Sequence, residues 1–258
     1  NLYLSVFQSW PSAQTPMYSY AQFLTDQNNY SESARIFNLH WTQFRSILQE
    51  PLREEALRNL IHAVHEQENA QKALSASLSP AASQLLELSL AYEKEYPATP
   101  PVRSIQFLRP SMHFKYGQFE QAIAESQKLF DKNPADDIGK RCFENLRVAY
   151  YKQKNCERTF GWATELLKQK SPGMNDYAAD LRAIREESLF LWADTTEDDR
   201  RSAELFEKIA RDPEMQRLRD KSLFNAYVRT QKQGDKLKAI ELADQLQKIS
   251  PNYEGLDS

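Results

Sequence analysis

His62 and His65 are the residues of this chain with the plainest capacity for chemistry. They stand three apart, with Glu66 and Glu68 following. On a helix, two imidazoles at that spacing share a face, which is what a divalent metal requires. The order His-x-x-His-Glu matches neither zincin arrangement, and a third ligand would have to come from another helix. The competing reading is an exposed polar helix face, so no metal site is assigned. His40 and His113 stand alone beside aromatics and read as packing or edge residues.

Carboxylates are plentiful, but general acid–base work needs them paired in a cleft. Glu54-Glu55, Glu186-Glu187 and Asp198-Asp199 instead read as helix N-terminal or surface charges, where the helix dipole or solvent holds them. The chain has no Gly-x-Ser-x-Gly, no glycine-rich phosphate loop and no Cys-x-x-Cys. Cys142 and Cys156 are the only cysteines. Flanking one helix of about fourteen residues, they would lie ~20 Å apart, too far for a disulfide. They read as free thiols. No catalytic residue and no cofactor is assigned, and the expectation is a protein that is not an enzyme. A metal-dependent helical enzyme using His62 and His65 stands as the alternative of a different class.

The elements that must position these residues are helices. Only 6 of 258 residues are glycine, where sheets and phosphate-binding folds use glycine freely. The net charge is −3, which leaves no basic footprint for nucleic acid. No apolar run approaches the ~18 to 20 residues that span a bilayer, so no transmembrane segment is expected. The sequence begins at Asn1 rather than Met and reads as a processed or trimmed product. Charge is unevenly placed: residues 1 to 90 hold 5 Lys/Arg and 8 Asp/Glu, while residues 91 to 258 hold 28 of each. The first third is therefore a separately evolved cap, a face that meets another protein, or compositional drift.

Helical spacing runs along the whole chain. Helices are expected at about 2–10, 16–27, a stretch capped by Ser31 that ends near Leu48, one with Pro51 in its first turn, 69–78 and 81–96. Tyr96-Pro97-Ala98-Thr99-Pro100-Pro101 then marks a boundary between repeats. Beyond it helices pair at about 103–116 with 119–132, 137–153 with 157–170, 175–194 with 198–211, and 215–232 with 236–249. Each pair closes on a proline: Pro134, Pro172, Pro213 and Pro251, which are 38, 41 and 38 residues apart. A two-helix unit of that period marks a solenoid, in which each pair covers its neighbour's apolar face. The expected fold is all-α, a solenoid of antiparallel helix pairs with about 12–14 helices. Residues 1–96 form divergent, charge-poor repeats, and 97–258 form regular ones at about 102–134, 135–172, 173–213 and 214–251.

Gly117 to Pro134 and Gly234 to Pro251 have the same length and pattern. The two glycines are expected to end first helices in a left-handed conformation. Ala122, Ala239 and Ser202 fall where paired helices approach closely. In the last helix, Leu237, Ile240, Leu246 and Ile249, with Ala239 and Ala243, are expected to form one apolar face. The opposite face, with Lys236, Lys238, Asp244, Gln245 and Lys248, is expected to be polar enough to end the array.

These stretches resemble the tetratricopeptide repeat family. The resemblance covers Gly117–Pro134 and Gly234–Pro251 well, and Cys156–Pro172 and Ser202–Pro213 moderately; residues 1 to 96 match only in rhythm. Pro110 and Phe160 depart from the family pattern, and the helix around Pro110 is expected to kink or begin late. The aromatic-Pro-x-Thr close at Tyr96–Thr99 is similar to long-repeat proteins of the bacterial cell envelope. It implies a lean toward a periplasmic or outer-membrane-associated location, with cytoplasmic as the alternative.

The resemblance implies a right-handed superhelix whose first helices line a concave groove for a protein or peptide partner. The groove residues would be Phe107, Ser111, Phe114 and Lys115; Asn145, Ala149, Lys152 and Gln153; Glu187, Leu191 and Asp194; and Lys221, Phe224, Val228 and Lys232. Their mixture of aromatic, amide and charge suits an extended or helical peptide, though each aromatic could equally be core. The carboxylate clamp of the chaperone-binding members is not expected, because Asn145 lacks matching basic residues where Ile184 and Glu187 stand. The implied function is a non-enzymatic interaction scaffold, in a bacterial envelope or motility assembly. Self-assembly through residues 1–90, giving a homo-oligomer, is the alternative of the same physical type.

Overall fold

A computed structural model of the chain describes residues 14–71, 77–251 and 253. Twelve α-helices follow one another, with no strand among the described residues. They are α1 (Gln14–Asp26), α2 (Tyr30–Phe44), α3 (Leu52–Asn69), α4 (Pro80–Glu95), α5 (Val102–Lys115), α6 (Phe119–Lys132), α7 (Asp137–Lys152), α8 (Cys156–Lys168), α9 (Ala178–Thr195), α10 (Asp199–Arg211), α11 (Arg219–Lys232) and α12 (Lys236–Ile249). The expected helix at 2–10 lies outside the described residues, and that at 69–78 falls across residues 72–76, which do too. The chain forms two compact units, Asn1–Ala149 and Tyr150–Ser258. The helices on either side of Tyr96–Pro101, α4 and α5, belong to the same unit and pack on each other.

In the first unit each of α1 to α5 packs on the next, and α5 packs on α6. Its core runs through Ala21, Ile36, Leu57, Leu60, Leu85 and Tyr92, one stripe from each successive helix. In the second unit α8 packs on α9, α9 on α10, α10 on α11 and α11 on α12. Leu189, Phe206, Ile209, Ala226 and Leu246 form its core. This sequential packing is that of a helical repeat: each amphipathic helix buries its stripe against its sequence neighbours.

The helix boundaries have local causes. Gly117 and Gly234 have φ of 69° and 80°, the left-handed conformation expected at these C-termini. A Cβ at either would meet nothing within 4 Å, so the glycines are needed for backbone conformation alone. Gly234→Ala is therefore expected to cost about 1 kcal/mol, without a packing penalty, readable as a lowered urea midpoint at unchanged slope. Ser202 is fully buried and its Oγ donates to the Ala193 carbonyl at 2.7 Å. The close approach of α10 to α9 is thus sealed by a hydroxyl. Ala122 and Ala239 are buried as well.

Five details differ from the sequence expectation. Helix α5 runs from Val102 to Lys115 with Pro110 inside it and does not begin late. The Pro110 ring is buried, and that burial offsets the missing N–H. Helix α2 starts at Tyr30, with Asn29 rather than Ser31 in the cap position. Pro51 precedes α3 as its cap residue instead of entering the first turn. Helix α11 starts at Arg219, not 215, because the Asp212 carboxylate turns the chain by accepting the Glu214 N–H at 2.9 Å.

The fifth difference is the rotation of α12. Its buried stripe is Ala239, Leu242 and Leu246, while Leu237 is 84% exposed and Ile240 61% exposed. At 100° per residue, Leu237 and Leu246 lie on opposite sides of a helix, so one apolar face cannot hold both. The outer face of the last helix is therefore partly apolar, not polar. Tyr253, past Pro251, packs against Phe224 with ring centres 5.4 Å apart.

Candidate functional site

His65 is half-buried, 3.3 Å from Glu66 Oε1, and its ring lies 3.3 Å from the Asn69 amide. Burial leaves its imidazole below the usual histidine range, against the opposing pull of the Glu66 carboxylate. His62 is exposed. Among the described residues no group of three His, Cys, Asp or Glu is arranged to hold a metal ion. His40 is buried against Tyr18 and Phe44, and neither ring nitrogen makes a hydrogen bond. Burial holds its imidazole down to about 4. His113 sits at a helix end, 2.7 Å from Gln118 Oε1.

The cysteines are free thiols, and burial pushes Cys142 up to about 12, away from nucleophilic use. Asp198 caps α10, accepting the Arg201 N–H at 2.6 Å, and Glu55 accepts the Tyr18 hydroxyl at 2.8 Å. Glu186 is a correction: it is buried, not a surface charge, and its Oε1 accepts the Leu218 N–H at 2.8 Å ahead of α11. Its carboxylate is thus spent on a backbone donor.

Glu68 shows what sequence reading missed. Its side chain is fully buried and accepts from Lys115 Nζ at 2.6 Å, from the Tyr116 hydroxyl at 2.8 Å and from the Ser79 hydroxyl. The ammonium of Lys115 also reaches the Glu68 carbonyl at 2.6 Å. Burial alone would raise this carboxyl, but the three donors and the Lys115 charge outweigh it and hold it below the usual range. The partners come from the N-cap of α4 and the end of α5, 11 to 48 residues away, so no local spacing announces them.

Tyr96–Thr99 also has a structural task. The Thr99 hydroxyl donates to the Tyr96 carbonyl at 3.0 Å and lies 3.1 Å from the Tyr92 hydroxyl. Tyr92 donates to Glu54, and Tyr96 to Glu50 at 3.0 Å. Burial, followed by the Glu54 carboxylate, pushes Tyr92 up to about 12. The end of α4 is thereby tied to the start of α3.

The groove residues fall into two groups. In the first unit Phe107 and Ala149 are core, and the Arg141 guanidinium lies 4.3 Å over the Phe107 ring. Phe114 is half-buried against Phe119, Ser111 donates to the Phe107 carbonyl at 2.9 Å, and Lys115 is committed to Glu68. Asn145 is half-buried, and its Nδ2 is a buried donor with no hydrogen-bond partner.

In the second unit Lys152, Glu187, Leu191, Asp194, Lys221 and Lys232 are exposed. Leu191 is 44% exposed. Gln153 accepts from Arg158 at 3.2 Å, and Glu187 pairs with Arg217 at 2.5 Å. Phe224 and Val228 are half-buried, Phe224 under Tyr253. Among the described residues, no helix is long and apolar enough to cross a membrane. Neither a protein-family model nor a curated protein matches this chain.

Proposed function

We propose that the chain is a non-enzymatic scaffold of tetratricopeptide-like helix pairs that docks a protein or peptide partner through its first helices. One observation carries this reading. On α9, Glu187, Leu191 and Asp194 stand four and three residues apart on one face, and all three are exposed. An exposed leucine between two carboxylates is the anchor-and-rim pattern by which a helix face meets a partner. Lys221 and Lys232 add exposed cations on α11 of the same unit. The aromatic-Pro-x-Thr close at Tyr96–Thr99 supports placing this scaffold in a bacterial envelope or motility assembly, although its hydrogen bonds give it a local reason to exist.

The test uses Leu191→Asp. Leu191 is 44% exposed, so the substitution removes partly covered area and adds a third carboxylate to this helix face; the expected cost is about 1–2 kcal/mol, and the urea midpoint checks that the variant stays folded. A partner retained on the immobilised native chain at micromolar concentration is expected to be lost on the variant. Retention of that partner by the variant refutes the assigned surface, and measurable turnover by the purified chain refutes the scaffold reading.

A second reading, self-assembly through residues 1–90, is favoured by a separate observation. Tyr20, Phe23, Ile47, Leu52 and Leu90 are all exposed there, by 47% to 55%. Light scattering across a concentration series decides it. A mass that rises with concentration in the native chain, and less so in Phe23→Glu, supports self-assembly; a concentration-independent monomer rules it out.

A further inference from the structure

Two cavities invite a ligand, and their charges separate them. The first, about 400 Å³, is lined by Trp41, Arg45, Arg53, Glu50, Glu95 and Tyr96. Its cations face their own carboxylates: Arg53 Nε lies 3.2 Å from Glu50, which also accepts from Tyr96 at 3.0 Å. The second, about 370 Å³, lies among the end of α10, the turn before α11 and the end of α12. It is within the volume range of small-molecule sites.

Arg211, Arg219, Gln216 and Gln245 supply the polar lining of this second cavity, and Ala210, Pro213, Leu223 and Ile249 the apolar lining. No carboxylate lines it. Arg219 has no salt-bridge partner among the described residues; its Nη1 donates only to Gln216 Oε1 at 3.3 Å, and its buried Nε has no hydrogen-bond partner. Arg211 reaches Glu207, but that carboxylate is shared with Lys238. The acids of the adjoining turn are also engaged: Asp212 and Glu214 lie 3.2 and 3.1 Å from Arg185, and Asp220 accepts from Ser250. Inside the cavity itself, then, two guanidinium groups face no carboxylate, and the acids around its rim, with Glu241 accepting from Gln245 at 3.2 Å, are bonded to groups other than Arg219.

We infer that this cavity binds an organic carboxylate carrying a short aliphatic chain. A guanidinium presents paired donors that match a carboxylate's two oxygens, and a donor left unmade in a buried place is costly. Leu223 and Ile249 provide apolar contact for the chain attached to that carboxylate, and the two glutamine amides complete the polar rim. The site uses none of the residues of the α9 and α11 strip, so it stands or falls independently of the docking proposal.

The experiment titrates the full chain with hexanoate and follows backbone amide resonances of residues 210–223 and 242–249. Hexanamide serves as the neutral isostere. Saturable shifts confined to these residues are expected with hexanoate, weakening as salt is raised, and absent with hexanamide. Gln245→Glu places a carboxylate in the cavity on an existing helix without touching the core. It is expected to weaken hexanoate by about tenfold or more, the cost of one charge-assisted bond. Arg219→Lys keeps the charge but loses the fork and is expected to bind several-fold more weakly.

A peptide ending in a free leucine carboxylate distinguishes the source of the ligand. Binding tighter than hexanoate, and lost on amidation, assigns a protein C-terminus; binding no tighter assigns a free acid. Equal shifts with hexanamide, no shifts with hexanoate, or unchanged affinity in Gln245→Glu each overturn the site.

Discussion

Lys115→Met is expected to cost about 3–5 kcal/mol. Glu68 is fully buried, and Lys115 is the one cation that reaches it among the described residues. Methionine keeps most of the lysine stem's packing but removes the ammonium that bridges the Glu68 carboxylate and its carbonyl. What remains is a buried charge held only by the Tyr116 and Ser79 hydroxyls. An unpaired buried charge costs far more than the net gain of the intact pair. The same logic predicts partial recovery in Glu68→Leu with Lys115→Met, since the apolar pair removes the buried charge and leaves only neutral groups, the Tyr116 and Ser79 hydroxyls and the Glu68 carbonyl, without those partners. Urea unfolding of the four-member cycle measures both. A single-variant loss below about 1 kcal/mol, or a double variant weaker than Lys115→Met alone, refutes the assignment.

Acid should act on the same unit in two windows. Glu68 has a lowered folded pKa, so its contribution is present above the unfolded value of 4.5 and disappears as pH falls through the folded value. His40 is held at about 4 in the folded state against 6.5 unfolded. Between those values the unfolded chain binds the proton and the folded chain does not, so stability falls from pH 6.5 toward 4. His40→Phe keeps the ring between Tyr18 and Phe44 and is expected to shrink that first window, leaving the share of His65, which is also lowered, and the Glu68 window in place.

The contrast between these residues and the rest of the chain shows what a sequence can express. Helices α6 and α12 were readable to the residue because a glycine with positive φ precedes each and a proline closes it. Local rules determine such boundaries. Glu68 looked like part of a polar helix face beside His62, His65 and Glu66, yet its donors arrive from 11 to 48 residues away. No spacing rule encodes that meeting. The cavity between Arg211 and Arg219 was equally hidden. Its arginines flank a turn, and only the folded chain shows that the nearby acids pair with Arg185, accept from Ser250, or are shared. The strip on α9 was legible in part: helical spacing put Glu187, Leu191 and Asp194 together, but Phe107 and Ala149, chosen by the same rule, are core. Aromatic and small residues satisfy a groove and a core alike, so periodicity cannot divide them.

Leu246→Ala and Leu237→Ala put that limit to a measurement within one helix. Both are leucines of α12, both fit an apolar face by spacing, and the chemical change is identical. Leu246 is 0% exposed in the core with Phe206 and Ile209, so its truncation removes buried area and leaves a cavity. The expected loss is about 2–5 kcal/mol. Leu237 is 84% exposed, and its truncation is expected to change stability by no more than about 0.5 kcal/mol. Alanine's higher helix propensity pushes both values slightly toward stability and cancels in the difference. Urea midpoints at unchanged slope give that difference directly. Comparable losses at the two positions would mean that Leu237 is covered in solution, and a concentration dependence confined to the Leu237 loss would identify the cover as a second copy of the chain. Without that signal, Leu237 and Ile240 belong to a free face, and the core of the second unit ends at Leu242 and Leu246.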